Sequence, residues 1–114
     1  MEIKNAIIKD AVVEIEDHGI LTASLHFDYG DSGQAFGGYA LYTPSKGLNG
    51  SDITGFFISR VLETVGAYKW DALVGKAVRV KADHSHIEAV GHILKDRWFN
   101  PKEELENFER HSAA

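Results

Sequence analysis

The chain has no cysteine among its 114 residues. That absence excludes disulfide frameworks, cysteine-based zinc sites and thiol nucleophiles together, and it fits a reducing compartment. No apolar run approaches the ~20 residues that a membrane span requires, so no membrane partner is expected. Met1-Glu2-Ile3-Lys4 lacks the hydrophobic core of a signal peptide, and a cytoplasmic location follows as the expectation. Acidic residues outnumber Lys and Arg, 17 against 12, for a formal net charge of −5. This balance makes nucleic acid an unfavoured partner, while leaving room for a local basic strip. The chain contains no Gly-x-Ser-x-Gly elbow, Walker loop, dinucleotide fingerprint or His-Glu-x-x-His pattern. No catalytic residue and no cofactor are therefore assigned.

What is present suits one globular domain. Hydrophobic residues make up 44% of the chain, enough for a core, and no repeat, linker or low-complexity tract divides it. Ile7, Ile8, Ala11, Val12, Val13 and Ile15 form a β-branched run from Ala6 to Ile15. It reads as one long strand, bent or bulged near Lys9-Asp10. Asp17-His18-Gly19 turns the chain. Leu21, Ala23, Leu25, Phe27 and Tyr29 then alternate with Thr22, Ser24, His26 and Asp28, the period of a strand with one buried face. Gly30-Asp31-Ser32-Gly33 is a second turn, and Gln34 to Tyr42 reads as a third strand.

After a loop from Thr43 to Gly50, Ser51-Asp52 has the character of a helix N-terminus. Ile53, Phe57, Ile58, Val61, Leu62 and Val65 follow at helical spacing, closed by Gly66. A short helical turn is expected over Trp70 to Leu73. Lys76–Asp83 and Ile87–Leu94 read as a hairpin joined by Asp83-His84-Ser85-His86. The expected fold class is α+β: an antiparallel sheet of about five strands in the order βββ-α-ββ-α, with one main helix packed on one face. Residues 1–101 form the domain, and residues 102–114 a short charged terminal helix with a frayed tail. The expected core is Leu21, Leu25, Phe27, Phe57, Val61, Val65, Val78, Val80, Ile87 and Ile93.

The most distinctive segment runs from Gly30 to Tyr39. Glycine pairs weaken strands, so Gly37-Gly38 implies either a bulge or a close approach to bare backbone. Close approach at Gly38 is the expectation. Tyr29, Gln34, Phe36, Gly37, Gly38, Tyr39 and Trp98 are the candidate binding residues. Trp98 and Phe99 read equally as core lids or as an oligomer anchor.

Three other constellations compete with blander readings. His84 and His86 are two residues apart, and His92 follows on the returning strand. Together they are the candidate metal ligands of an alternative, metal-dependent hydrolase. Flanking a turn, they read first as plain turn residues. His26 and Asp28 would make an acid–base pair with His92 if the hairpin lay alongside, against the reading of an ordinary solvated face. Lys76, Arg79 and Lys81 with Trp70 and Trp98 suggest a nucleic-acid-binding module only sparsely.

Phe27-Asp28-Tyr29-Gly30 through Gly33-Gln34-Ala35-Phe36-Gly37-Gly38-Tyr39 resembles one block of a group of small phage- and prophage-encoded proteins. Leu62-Glu63-Thr64-Val65-Gly66 and Gly91-His92-Ile93-Leu94-Lys95-Asp96-Arg97-Trp98-Phe99 resemble two more. No activity is attached to that group, so the resemblance implies a setting inside a bacterial host cell and no catalytic residues. The expectation is a non-enzymatic accessory protein that binds a host protein or a small nucleotide-like ligand, as a homo-oligomer.

Overall fold

The structure, a computed structural model, describes residues 1–30, 33–38, 50–83 and 85–113. Tyr39, the strand expected to run on to Tyr42, the loop from Thr43 to Asn49, and His84 lie outside the described residues.

The elements in chain order are strands β1 (Glu2–Ile15), β2 (Leu21–Asp28) and β3 (Gly33–Gly37), helix α1 (Gly50–Val65), strands β4 (Ala77–Ala82), β5 (Ile87–His92) and β6 (Trp98–Phe99), and helix α2 (Pro101–Ala113). A single 3₁₀ turn, Asp71–Leu73, precedes β4. The protein is thus α+β. Among the described residues its antiparallel sheet has six strands in the order β3-β2-β1-β4-β5-β6, where about five were expected. The additional strand is the Trp98-Phe99 pair, too short to show a period of its own.

Strand β1 organises the sheet. Its register against β2 shifts between Ile8 and Asp10, so the bulge sits at Lys9 as the β-branched run implied. The stretch from Glu2 to Ile7 pairs with β4 on one edge, and Ile7 to Ile15 pairs with β2 on the other. β4 therefore returns beside the first strand of a three-strand meander, a Greek-key path with α1 in the long connection.

The sheet does not lie flat. Strands β3 and β6 are its two edges, five spacings or about 24 Å apart if planar. Yet the rings of Phe36 on β3 and Phe99 on β6 have centroids 6.3 Å apart. The sheet is curled until its edges meet through side chains. Its concave face holds the core: Ile8, Leu25, Phe27, Phe36, Val78, Val80, Val90 and Phe99, closed by Phe57, Val61 and Val65 of α1. Trp70 packs on Phe57 at 6.2 Å.

Eight of the ten expected core residues are buried. Leu21 is 37% exposed, because it opens β2 at the far end of the β1–β2 hairpin. Ile93 is half-buried, because β5 ends one residue before it.

Both helix boundaries have local causes. Gly66 takes φ +85°, and the Ala67 N–H donates to Leu62 O at 3.0 Å, the capping bond of a left-handed C-terminus. In α2, Asn100 Oδ1 accepts the Glu103 N–H at 3.1 Å while Glu104 Oε2 accepts the Asn100 N–H at 3.2 Å. These bonds form a reciprocal cap ahead of Pro101 at the first helical position. Helix α2 runs on to Ala113, past the frayed tail expected from residue 111. It is held to α1 by Glu104, whose carboxylate receives Arg60 Nε at 2.7 Å, and its Leu105 is buried. No helix among the described residues is long and apolar enough to cross a membrane.

Candidate functional site

The glycine pair resolves differently from the expectation. Gly37 and Gly38 both have positive φ, +94° and +76°. A Cβ on Gly38 would meet only Ser24 Cβ at 3.8 Å, an ordinary contact, so its glycine serves backbone conformation. The close approach is at Gly37, where a Cβ would fall 2.6 Å from Phe57 Cζ and 2.8 Å from the Ala23 carbonyl oxygen. The neighbour is the core ring of α1, and Phe36 beside it is 3% exposed. Phe36 thus belongs to the core, while Gly37 and Gly38 at its edge are half-buried.

Tyr29 and Gln34 are brought together elsewhere. Both wall a cavity of about 520 Å³ at the open end of the curled sheet, with Glu2, Lys4 and Asp83. Strand alternation explains the set. Residues Ala6 and Ile8 point into the concave face, so Glu2 and Lys4 on the same parity line its rim. Opposite them, Gln34 pairs with Phe27 on the same face and donates from Nε2 to the Asp83 carbonyl oxygen at 3.2 Å. The Lys4 ammonium lies 5.2 Å from the Tyr29 ring centroid and 3.8 Å from Glu2 Oε2. Tyr29 Oη and Gln34 Oε1 are shielded from solvent and have no hydrogen-bond partner among the described residues. Such atoms are uncommon in folded proteins; Thr64 Oγ1 and Trp70 Nε1 are the others among the described residues, and neither residue walls this cavity.

Asp83 fixes the rim. Its Oδ1 accepts the Ser85 N–H and Oγ–H, each at 2.8 Å, and the His86 N–H at 2.9 Å. These bonds hold its carboxyl well below the usual carboxylate range. The β4–β5 turn is thereby tied to its own carboxylate.

The two described histidines of the candidate metal set do not assemble. His86 and His92 stand at opposite ends of β5, about 20 Å apart along an extended strand, too far to share an ion. His92 Nδ1 accepts the Leu94 and Lys95 N–H groups at 3.0 and 2.9 Å. Its pKa is lowered by desolvation, then by Arg97, Lys95 and Arg79. No group of three potential metal ligands occurs among the described residues. His26 cannot pair with His92 either, since β1 and β4 lie between their strands.

Trp98 is on the other side of the sheet. It pairs with Gly91, whose register partner on β4 is Arg79. The Arg79 and Lys81 cations lie 4.9 and 4.6 Å from its ring centroid. Trp98 thus covers the convex face while Phe99 enters the core, which separates two neighbours that sequence alone left together.

The groups of lowered pKa, His92 on one side and the carboxylates Asp83 and Glu16 on the other, give a pH dependence. A depressed pKa contributes stability above the unfolded value and loses it as pH falls through the folded one. His92 acts below its ordinary 6.5 and Asp83 below its ordinary 3.8. Melting temperature should therefore fall in two acid limbs. His92→Gln should abolish the first and Asp83→Asn should shrink the second, which Glu16 shares, in a pH series of thermal melts. A wild-type curve flat from neutral pH to the carboxylate range would remove the His92 assignment.

Comparison with known protein families, curated proteins and solved structures finds no match to the chain.

Proposed function

We propose that this chain is a non-enzymatic binding protein whose ligand site is the cavity at the open end of the curled sheet. The observation that carries the reading is the pair of shielded, unpartnered polar atoms, Tyr29 Oη and Gln34 Oε1, on residues that wall one cavity. A ligand that displaced the groups shielding them would gain a hydrogen bond at each, where each unsatisfied group costs about 1–3 kcal/mol. The volume falls within the ~300–1,000 Å³ of small-molecule sites, and barrel mouths are a recurrent place for them. Lys4 supplies a cation for an anionic group. These features favour a small, anionic, nucleotide-like ligand over a host protein.

The phage or prophage setting is part of the same reading and rests on the resemblance of the three sequence blocks. Self-association is supported by the exposed apolar side chains of Val13, Ile15 and Leu21 at the end of the β1–β2 hairpin.

Tyr29→Phe tests the site with opposite signs. Losing an unpartnered buried hydroxyl leaves the apo protein melting no lower than wild type, or raises its stability by up to about 1–3 kcal/mol. Ligand binding should weaken in the same variant. A thermal-shift screen over mono- and dinucleotides is the measurement. A ligand at a hundred times its Kd stabilises by about 2.7 kcal/mol, an easily read shift. A screen blank for wild type, or a Tyr29→Phe response equal to wild type, would defeat the reading.

A further inference from the structure

The convex face of the sheet, remote in function from the cavity, carries a second and independent feature. Alternation places Arg79 and Lys81 of β4 opposite the buried Val78 and Val80, hence on the convex side. The register continues across the sheet from Arg79 to Gly91 and from Gly91 to Trp98. Gly91 is what lets the indole lie down on the sheet. A Cβ there would stand 2.7 Å from Trp98 Cδ2 and Cε3. The two cations gather on the ring that results, and Arg79 is further fixed by donating to the His92 and Lys95 carbonyl oxygens at 2.8 and 2.9 Å.

Lys95 and Arg97, both exposed, extend the cluster along the β5–β6 turn. None of these four cations has a carboxylate within 4.0 Å among the described residues. Asp96, exposed between Lys95 and Arg97, is the acidic member of that turn, so the patch carries four cations against one neighbouring carboxylate in a chain with 17 acidic residues and 12 basic ones. Beside the cations, on the same face of β1, Ile3 and Ile7 are 57% and 45% exposed and pair with Lys81 and Ala77.

We propose that this convex face, Arg79, Lys81, Lys95, Arg97 and Trp98 with Ile3 and Ile7, binds single-stranded nucleic acid. Phosphates meet the cations, and unpaired bases cover the exposed apolar surface of Ile3 and Ile7 beside them. The cations are already held, two of them on an indole, so little side-chain freedom is lost on binding. A single strand fits better than a duplex. No described element protrudes from this face to enter a groove, and only a single strand frees its bases to lie on a sheet. The net negative charge elsewhere confines the contact to this patch.

The test uses the full chain with a fluorescein-labelled oligo-dT and oligo-U, read by anisotropy over a salt series. Saturable binding is expected, weakening as salt rises by about 0.7 log units per phosphate contact per log unit of salt. Lys81→Gln/Arg97→Gln should lower the slope by about 1.4, two such contacts, and lower the affinity at low salt. Lys95→Gln, at an exposed turn position remote from the core, should lower it by about 0.7 with an unchanged melting temperature. Trp98 emission should change on binding, while the cavity variant Tyr29→Phe should bind as wild type. Absence of saturable binding at low salt would overturn the proposal. Equal affinity in the double variant would do the same, as would tighter binding to duplex DNA or to phosphatidylglycerol vesicles.

Discussion

Gly37→Ala is expected to lower the unfolding free energy by about 2–6 kcal/mol, a large share of what a domain of this size possesses. Two causes add. The φ of +94° is one that side chains rarely adopt, worth about 1–3 kcal/mol. The new methyl would also stand 2.6 Å from Phe57 Cζ and 2.8 Å from the Ala23 carbonyl oxygen. Overpacking of that kind costs about 1–3 kcal/mol. Phe57 can tilt, but the carbonyl belongs to the β2 backbone and cannot. Gly38→Ala is the internal control, because it has a positive φ and no close neighbour, and should lose only the first contribution. Urea unfolding of both variants separates the two effects. Equal losses at the two positions would show that packing on Phe57 contributes nothing.

Phe99→Ala should cost about 3–5 kcal/mol, the range for a fully buried phenylalanine. The ring occupies the place where the sheet edges meet. Its centroid is 6.3 Å from Phe36, 6.1 Å from Phe56 and 5.7 Å from Phe57, and the Arg60 guanidinium carbon lies 5.4 Å from it. Removing it should therefore do more than leave a void. Two-residue β6 has little backbone pairing to hold it, so Trp98 should leave Gly91 and its emission should shift toward that of a solvated indole. Chemical denaturation followed by tryptophan fluorescence reads both effects at once. A loss below about 1 kcal/mol would mean that β6 is dispensable and the curl is maintained by α1 alone.

The candidate site was legible only in fragments. Tyr29 and Gln34 stand in or beside the glycine-rich segment that the sequence marks out, of whose described residues only Phe36 is buried in the core. Their partners Lys4 and Glu2 carried a signal that extending the alternation of Ala6 and Ile8 toward the N-terminus would have exposed. Asp83 was noticed beside the histidines, but its role is to bind its own turn. The convex patch was scattered over β4, the β5–β6 turn and β6, and nothing in local spacing indicates that Trp98 faces Arg79 rather than the core.

The sequence by itself determined the elements that depend on near neighbours. Alternation over Leu21–Tyr29 set the buried face of β2, helical spacing from Ile53 set the core face of α1, and the Lys9-Asp10 interruption set the bulge. Gly66 ended the helix. Each of these follows from backbone geometry and burial within one element. Tertiary structure decided the rest: the sixth strand, the curl that brings Phe36 to Phe99, the meeting of Lys4 with Tyr29 and Gln34, and the separation of His86 from His92. Those outcomes depend on which strand edges pair and how strongly the paired sheet twists. That choice is made by contacts between residues far apart in the chain, which no local pattern encodes.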